Sequence, residues 1–463
     1  PPPPGSRSAS SAAANKQGSY GKVPMHEHSA KAQLARPAEI LSALLLKYGP
    51  GALRSNLDLA SADEDVRFCD VKLGQVSRSF AAVIRQLPAD VILDIMVFYL
   101  VLRALDTIED DMDAFKGHEG DKIAHLRAFG GKYLGDGAWS MAGVGAGAEL
   151  ELLQGFGAVS RVFNKLPTAS KEVIRDITCK MGSGMAEAVT ADMGQGTATL
   201  AVYADYCHAV AGLVGEGLTQ IYVARGFESA DLCGQGEQVW TFCKSAEESK
   251  GMTLGLANSM GLFLQKTNII RDYLEDYADG RAFWPQQVWR QFATTSELGE
   301  FARPTAHGAG SAAYPSAFDA ECDPEGAAVV GKGVNHQGLS CLNFLVADAL
   351  ELVPDCLAYL GLLKTPEVFR FSAIPQVMAI ATLAECFDNP RVFTGVVKIR
   401  KGAAAQMILD SAGMRGVHAS FYQYALAMQE RCPADDPSRD KILAATTRIL
   451  ELTHEAAASK RRA

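Results

Sequence analysis

The 463-residue chain has no run of about 18 apolar residues, so it encodes no transmembrane helix. Its start, PPPPGSRSASSAAANKQGSYGK, lacks the continuous apolar stretch of a secretory signal. Together these absences predict a soluble chain. The ten cysteines, Cys69, Cys179, Cys207, Cys233 and Cys243 among them, fall singly with no C-x-x-C pair, which argues against a zinc site and a disulfide framework. Thiols of this kind pack as small apolar side chains in a reducing compartment. Positive charge is also in deficit, 44 Lys and Arg against 53 Asp and Glu, a net charge of −9. A general nucleic-acid binder needs a basic face to displace counterions, so that class is excluded. No G-x-G-x-x-G follows a strand, which removes a Rossmann dinucleotide site. Nor is any period-two alternation long enough for a sheet.

What the chain has instead is apolar spacing of three and four from Pro37 onward. Val91, Ile95, Phe98, Leu102 and Leu105 form one helical stripe, with Ile92, Tyr99 and Ala104 beside it. Further helices are expected over roughly 150–166, 170–192, 200–225, 237–278, 340–363, 373–387, 402–430 and 437–458. The predicted fold is all-α: a disordered segment at 1–36, a helical domain over 37–432, and a C-terminal helix with a basic tail over 433–463. The Gly/Ala/Pro-rich stretch 303–337 reads as a long surface loop, a tolerated insertion.

Two acidic motifs stand out. In RALDTIEDDMD (103–113), Asp106 and Asp110 are four apart and Glu109 is three from Asp106, so all three share a helix face. In QKTNIIRDYLEDYADGR (265–281), Asp272 and Asp276 repeat that spacing, with Gln265 and Asn268 on the same face. One such run alone is ordinarily a solvated face or a set of salt-bridge partners. Two on apolar helices imply a metal site between helices of a bundle. Clustered carboxylates repel unless a cation intervenes, and hard oxygen ligands suit Mg2+, with Mn2+ an alternative. A diphosphate leaving an allylic carbon gathers negative charge that such an ion neutralises. An acidic protein can therefore attract an anionic substrate, because the metal carries it.

The cations near these motifs have two readings each. Arg103 and Arg271 either fork onto phosphate oxygens or pair with neighbouring carboxylates. Lys398, Arg400 and Lys401 either form a basic helix flank at the surface or hold the phosphates of a nicotinamide dinucleotide. Phe80, Tyr99, Phe369 and Phe371 are plain core or the π-rich wall that carbocation chemistry needs. Tyr206 lies in DYCHAVAGLVGEGL (205–218), where Gly212, Gly215 and Gly217 allow close helix approach, and its hydroxyl is a candidate for proton transfer. His208 reads as structural.

The blocks SRSFAAVI (77–84), FYLVLRALDTIEDDM (98–112), KMGSGMAE (180–187), YCHAVAGLVGEGL (206–218), NSMGLFLQKTNIIRDYLED (258–276), FWPQQVW (283–289), AIPQVMAIATL (373–383) and VVKIRKG (396–402) resemble the squalene synthases of the squalene/phytoene synthase family. The resemblance spans about 37–432. It implies an isoprenoid-synthase helical bundle with a central cavity between aspartate-bearing helices. It also implies condensation of two farnesyl diphosphates to presqualene diphosphate, then rearrangement and reduction by NADPH to squalene. Carried over by position, Asp106, Glu109, Asp110, Asp272 and Asp276 are the metal set, and Tyr206 handles the proton of cyclopropane formation. Phe371 shields the second-step cation. Ser77, Arg78, Ser79, Phe80, Tyr99, Arg103, Gln265 and Asn268 face substrate, while Arg78, Arg103, Arg271, Lys398 and Arg400 contact phosphates and NADPH. The resemblance further implies a monomer on the cytosolic face of the endoplasmic reticulum membrane. Three features depart from the family pattern. Phe369-Arg370-Phe371-Ser372 stands where F-N-F-C is usual, the 303–337 stretch is long, and the chain ends in SKRRA rather than a hydrophobic anchor. A phytoene-type or presqualene-only enzyme without reduction is the rival reading. A non-catalytic helical scaffold is another, opposed by five retained carboxylates.

Overall fold

The computed structural model describes residues 23–26, 36–49, 55–77, 79–191, 193–234, 238–241, 250–253, 255–302 and 335–460. Arg78, most of the 1–36 segment and all but the last residues of the 303–337 stretch lie outside these. The architecture is all-α, as the spacing predicts. The helices that build the site are, in chain order, α1 (Pro37–Tyr48), α2 (Ala89–Asp110), α3 (Thr168–Thr190), α4 (Leu200–Cys207), α5 (Leu213–Ala224), α6 (Gly255–Arg271), α7 (Tyr273–Ala278), α8 (Pro366–Cys386) and α9 (Lys401–Asp410). Among the described residues no helix is long and apolar enough to cross a membrane.

Two apolar cores meet along α8. Phe369, Ala373, Val377 and Ile380 enter one, with Phe263 and Ile270 of α6. Val368, Phe371 and Ile374 enter the other, with Val91, Ile95, Phe98 and Leu105 of α2. A helix buried on both sides must be apolar nearly all round, which is how FSAIPQVMAIATL reads.

Several sequence expectations need correction. The helix expected over 237–278 starts only at Gly255. Before it, β2 (Gln238–Thr241) pairs antiparallel with β3 (Lys250–Thr253), Gln238 opposite Thr253. Val239, Trp240 and Thr241 are strand formers, and a four-residue ribbon is too short to register as alternation. Likewise the segment expected to be disordered contributes β1 (Met25–His26), parallel to β4 (Val396–Val397). The helix expected across 200–225 contains a wider π-turn at His208–Gly212, a feature that often marks functional sites. And the second acidic motif is not one helix, because the chain bends at Asp272 (φ −94°, ψ 15°).

Glycines set how closely α6 packs on α5 and on the π-turn before it. A Cβ on Gly215 would stand 2.2 Å from the Ala257 carbonyl oxygen, and one on Gly261 would stand 2.1 Å from that of Ala211. Backbone cannot yield cheaply at such contacts. Gly261→Ala should therefore cost about 1–3 kcal/mol in urea unfolding, because added core volume forces the helices apart. An unchanged midpoint would show that the helices are not in register there.

Candidate active site

A cavity of about 300 Å3 opens between α2, α5, α6 and α8. Its long wall is apolar, from Phe98, Leu102, Val214, Leu218 and Leu264. Four of its polar residues gather toward the C-terminal ends of α2 and α6, Arg103 and Asp106 on one and Gln265 and Asn268 on the other, while Ser372 and Gln376 of α8 also line it. Successive turns of the same helices thus go from hydrocarbon lining to hydrogen-bonding groups. That gradient fits an amphiphile with an apolar tail and an anionic head.

Beyond the polar end lie the remaining carboxylates. Burial holds Asp106 well above the usual carboxylate range; Arg103 opposes this, while Asp110, Glu109 and Glu149 add to it. Glu109 is pushed up to about 7, again chiefly by burial, with Arg281 pulling the other way. Asp276 is raised well above its ordinary value by burial and then by Asp272, with Asp110 also contributing. Asp110 and Asp276 come from different motifs, and Arg281, which closes the second motif, pairs with Asp110 of the first, so the two clusters lie near each other. Two of the five carboxylates are held by arginine. Arg281 pairs with Asp110 at 2.7 Å, and Arg271 forks onto Asp272, its Nε 2.7 Å from Oδ1.

This donor set fits a hard divalent ion. The burial of Asp106, Glu109 and Asp276, which Arg103 and Arg281 offset only in part, is the observation that favours a cation. Among the described residues no group of three or more His, Cys, Asp or Glu is placed to hold a metal ion by itself. A Mg2+ ion here would take one or two of these carboxylates and complete its shell with water and substrate phosphate oxygens.

Tyr206 sits in the last turn of α4, directly before the π-turn. Burial pushes its phenol well above the usual value, helped by Glu109, Asp110 and Asp276 and opposed by Arg281. The phenol is therefore protonated and within electrostatic reach of both clusters. Phe80, Tyr99 and Phe371 line the cavity, Phe80 stacked on Tyr99 at 6.2 Å and Phe371 edge-on to Tyr222 at 6.5 Å. Phe369 turns into the other core, so of the two phenylalanines only Phe371 meets the cavity. Ser372 lines it too, whereas Arg370 does not, which puts one of the two departures in this segment at the wall. Ser77 is buried at the end of the helix Glu64–Ser77, and Ser79 opens the helix Ser79–Ile84.

The remaining cations differ in placement. Arg103 pairs with Glu149. Lys398 is exposed and lies near Glu275 of α7, whose carboxyl is raised by burial and by Asp272 and Asp279, with Arg271 and Lys398 opposing. Arg400 is buried, 2.9 Å from Glu39 of α1 and 3.8 Å from Glu385.

A family model, squalene/phytoene synthase, matches residues 73–403. The mouse squalene synthase is 39% identical over 411 residues, 88% of this chain and 85% of its own. A Candida albicans squalene synthase is 41% identical over 383 residues, 82% of this chain and 75% of its own. The solved complex of TcSQS with the ligand E5700 superposes with a TM-score of 0.70 at 38% identity, covering 85% of this chain and 100% of that one. The chain belongs to the squalene/phytoene synthase family. Its activity is squalene synthesis, a step of isoprenoid and sterol biosynthesis.

In the frame of this squalene/phytoene synthase fold, Arg281 is the site cation that reading the motifs passed over. It closes the quoted run YADGR, and Gly280 (φ +77°) is the signal. Gly280 N–H donates to the Tyr277 carbonyl and Arg281 N–H to that of Asp276, a glycine cap that ends α7 and turns the chain back. The reversal carries Arg281 to Asp110 of the other motif.

Proposed function

We propose that this site joins two farnesyl diphosphates head to head and then reduces the presqualene diphosphate so formed to squalene, using Mg2+ and NADPH. The observation that carries the reading is the apolar cavity ending at two neighbouring carboxylate clusters. Asp106, Glu109, Asp110, Asp272 and Asp276 would hold the metal, Mg2+ or Mn2+. When bound, it supplies Lewis-acid neutralisation of the departing diphosphate. Gln265 and Asn268 orient the head group, and Arg103 and Arg271 are cations within reach of its oxygens. The apolar walls exclude water from the allylic cation left when the C–O bond breaks.

The second substrate's double bond attacks that cation, and ring closure releases one proton. A neutral Tyr206 phenol handles it as a relay, its Oη accepting that proton while its own passes to the departing diphosphate. Phe371 offers its π-face to the cation of the second step. NADPH supplies the hydride there, with Lys398 as the exposed cation for its phosphates. Release of a hydrocarbon product favours work at the endoplasmic reticulum membrane. The deciding experiment is incubation with farnesyl diphosphate and Mg2+, with and without NADPH. Squalene with NADPH and presqualene diphosphate without it are expected; phytoene-type unreduced hydrocarbon in both would reverse the reading.

Two of the three basic-block cations, Lys398 and Arg400, should separate. Lys398→Ala should raise the KM for NADPH about ten-fold or more, for one lost charge-assisted contact, with stability unchanged. Arg400→Ala leaves Glu39 and Glu385 without that partner, and should cost about 2–4 kcal/mol in thermal unfolding. Equal loss of NADPH affinity in a stably folded Arg400→Ala protein would assign both to the cofactor.

A further inference from the structure

We infer that Phe283 is a positioning residue for the condensation, fixing the plane of the Tyr206 ring beside the carboxylates; this rests on the role proposed for Tyr206 above. The Phe283 and Tyr206 rings are stacked, centroids 4.7 Å apart and planes 19° from parallel. The Arg281 guanidinium lies 5.9 Å from the Phe283 centroid, and the same guanidinium pairs with Asp110 at 2.7 Å. Asp110, Arg281, Phe283 and Tyr206 therefore form one contiguous series from the first acidic motif to the phenol.

The Phe283 ring can serve as a reference surface because its backbone is pinned. The Phe283 carbonyl accepts from Thr197 Oγ1 at 3.1 Å, and the preceding Ala282 N–H donates to the Met193 carbonyl at 2.8 Å. The following Trp284 donates Nε1–H to the Ile269 carbonyl of α6 at 3.2 Å. Tyr206, by contrast, hangs from a helix that loosens into a π-turn two residues on. A flat ring stacked on a flat ring resists tilting of the phenol out of that plane. Proton relay at a ring-closing carbon depends on that tilt, since a displacement near 1 Å costs about a hundred-fold. Phe371 packs elsewhere, edge-on to Tyr222, so removing the Phe283 ring should leave the second-step wall in place.

The test compares Phe283→Leu, which keeps apolar bulk and loses the ring, with Phe283→Tyr, which keeps the ring. Phe283→Leu should lower kcat for farnesyl diphosphate consumption about 10- to 100-fold, with KM unchanged, and Phe283→Tyr should restore most of it. Both should convert supplied presqualene diphosphate and NADPH to squalene at the wild-type rate. The inference is overturned if Phe283→Leu keeps its kcat, if both half-reactions fall together, or if Phe283→Tyr is as impaired as Phe283→Leu. Should Phe283→Leu not fold, Phe283→Met makes the same comparison. Tyr206→Phe, run alongside, separates the two layers. If it is inactive in condensation while Phe283→Leu is normal, only the positioning role falls. If it condenses normally, the role of Tyr206 falls and takes this one with it.

Discussion

Asp106→Asn should cut squalene formation about a hundred-fold or more while leaving the metal-free protein at least as stable as the wild type. The first half follows from losing an anionic ligand at the point where leaving-group charge is neutralised, a few kcal/mol of transition-state stabilisation. The second half follows from burial. Asp106 and Glu109 are held above the usual carboxylate range, Glu109 at about 7. Folding therefore takes up protons as pH rises past the ordinary glutamate value of 4.5, and the metal-free wild type loses stability progressively through the window from about 4.5 to 7. For Glu109 alone the loss is about 3 kcal/mol, and Glu109→Gln removes it. The measurement is urea unfolding of the wild type, Asp106→Asn and Glu109→Gln at pH 5 and pH 8, with and without Mg2+. Mg2+ should stabilise the wild type most at pH 8, where the carboxylates are ionised and waiting for a cation. If the metal-free wild type gains stability relative to Glu109→Gln as pH rises, these carboxylates already have their counter-charge. Near-normal turnover by Asp106→Asn at ordinary Mg2+ would remove them from the chemistry.

The helices of the site were legible because each buries a broad stripe. Val91, Ile95, Phe98, Leu102 and Leu105 are all buried, and α2 runs unbroken through Asp106 to Asp110. Spacing also put Gln265 and Asn268 on one face, and both meet the cavity. The acidic spacing survived even where the helix did not. Asp276 N–H still donates to the Asp272 carbonyl at 2.9 Å across the bend, so the two carboxylates keep roughly a one-turn separation.

What escaped was whatever depends on a partner distant in sequence. Arg400 sits in a basic run that suggests phosphate binding, yet Glu39, 361 residues away, takes its guanidinium. Arg281 closes the second motif with no role legible in its neighbours, and the turn at Gly280 brings it to Asp110. Phe369 and Phe371 are two apart, and nothing in an all-apolar helix says which of them faces the cavity. Short strands such as Val396–Val397 exist only through their pairing with Met25–His26.

Tyr206→Phe removes one oxygen and should stop farnesyl diphosphate consumption, by about 10²–10⁴-fold, the range set by loss of a positioned proton-transfer group. Phenylalanine keeps the ring that stacks on Phe283, so folding and the α4 packing should be intact. Burial disfavours a phenolate, Glu109, Asp110 and Asp276 add to this, and Arg281 opposes it. A neutral relay therefore predicts that raising pH from 7 to 9 gains no activity, since no useful population of phenolate forms in that range. A base that worked as phenolate would instead speed up as pH rises. Reduction comes after the proton has left, so Tyr206→Phe supplied with presqualene diphosphate and NADPH should make squalene at the wild-type rate. Lys398→Ala should show the opposite pattern, consuming farnesyl diphosphate normally and accumulating presqualene diphosphate when NADPH is limiting. Product profiles of the two variants against NADPH concentration compare both directly. If Tyr206→Phe fails equally in both half-reactions, the hydroxyl serves the architecture of the site. The relay would then belong to another group.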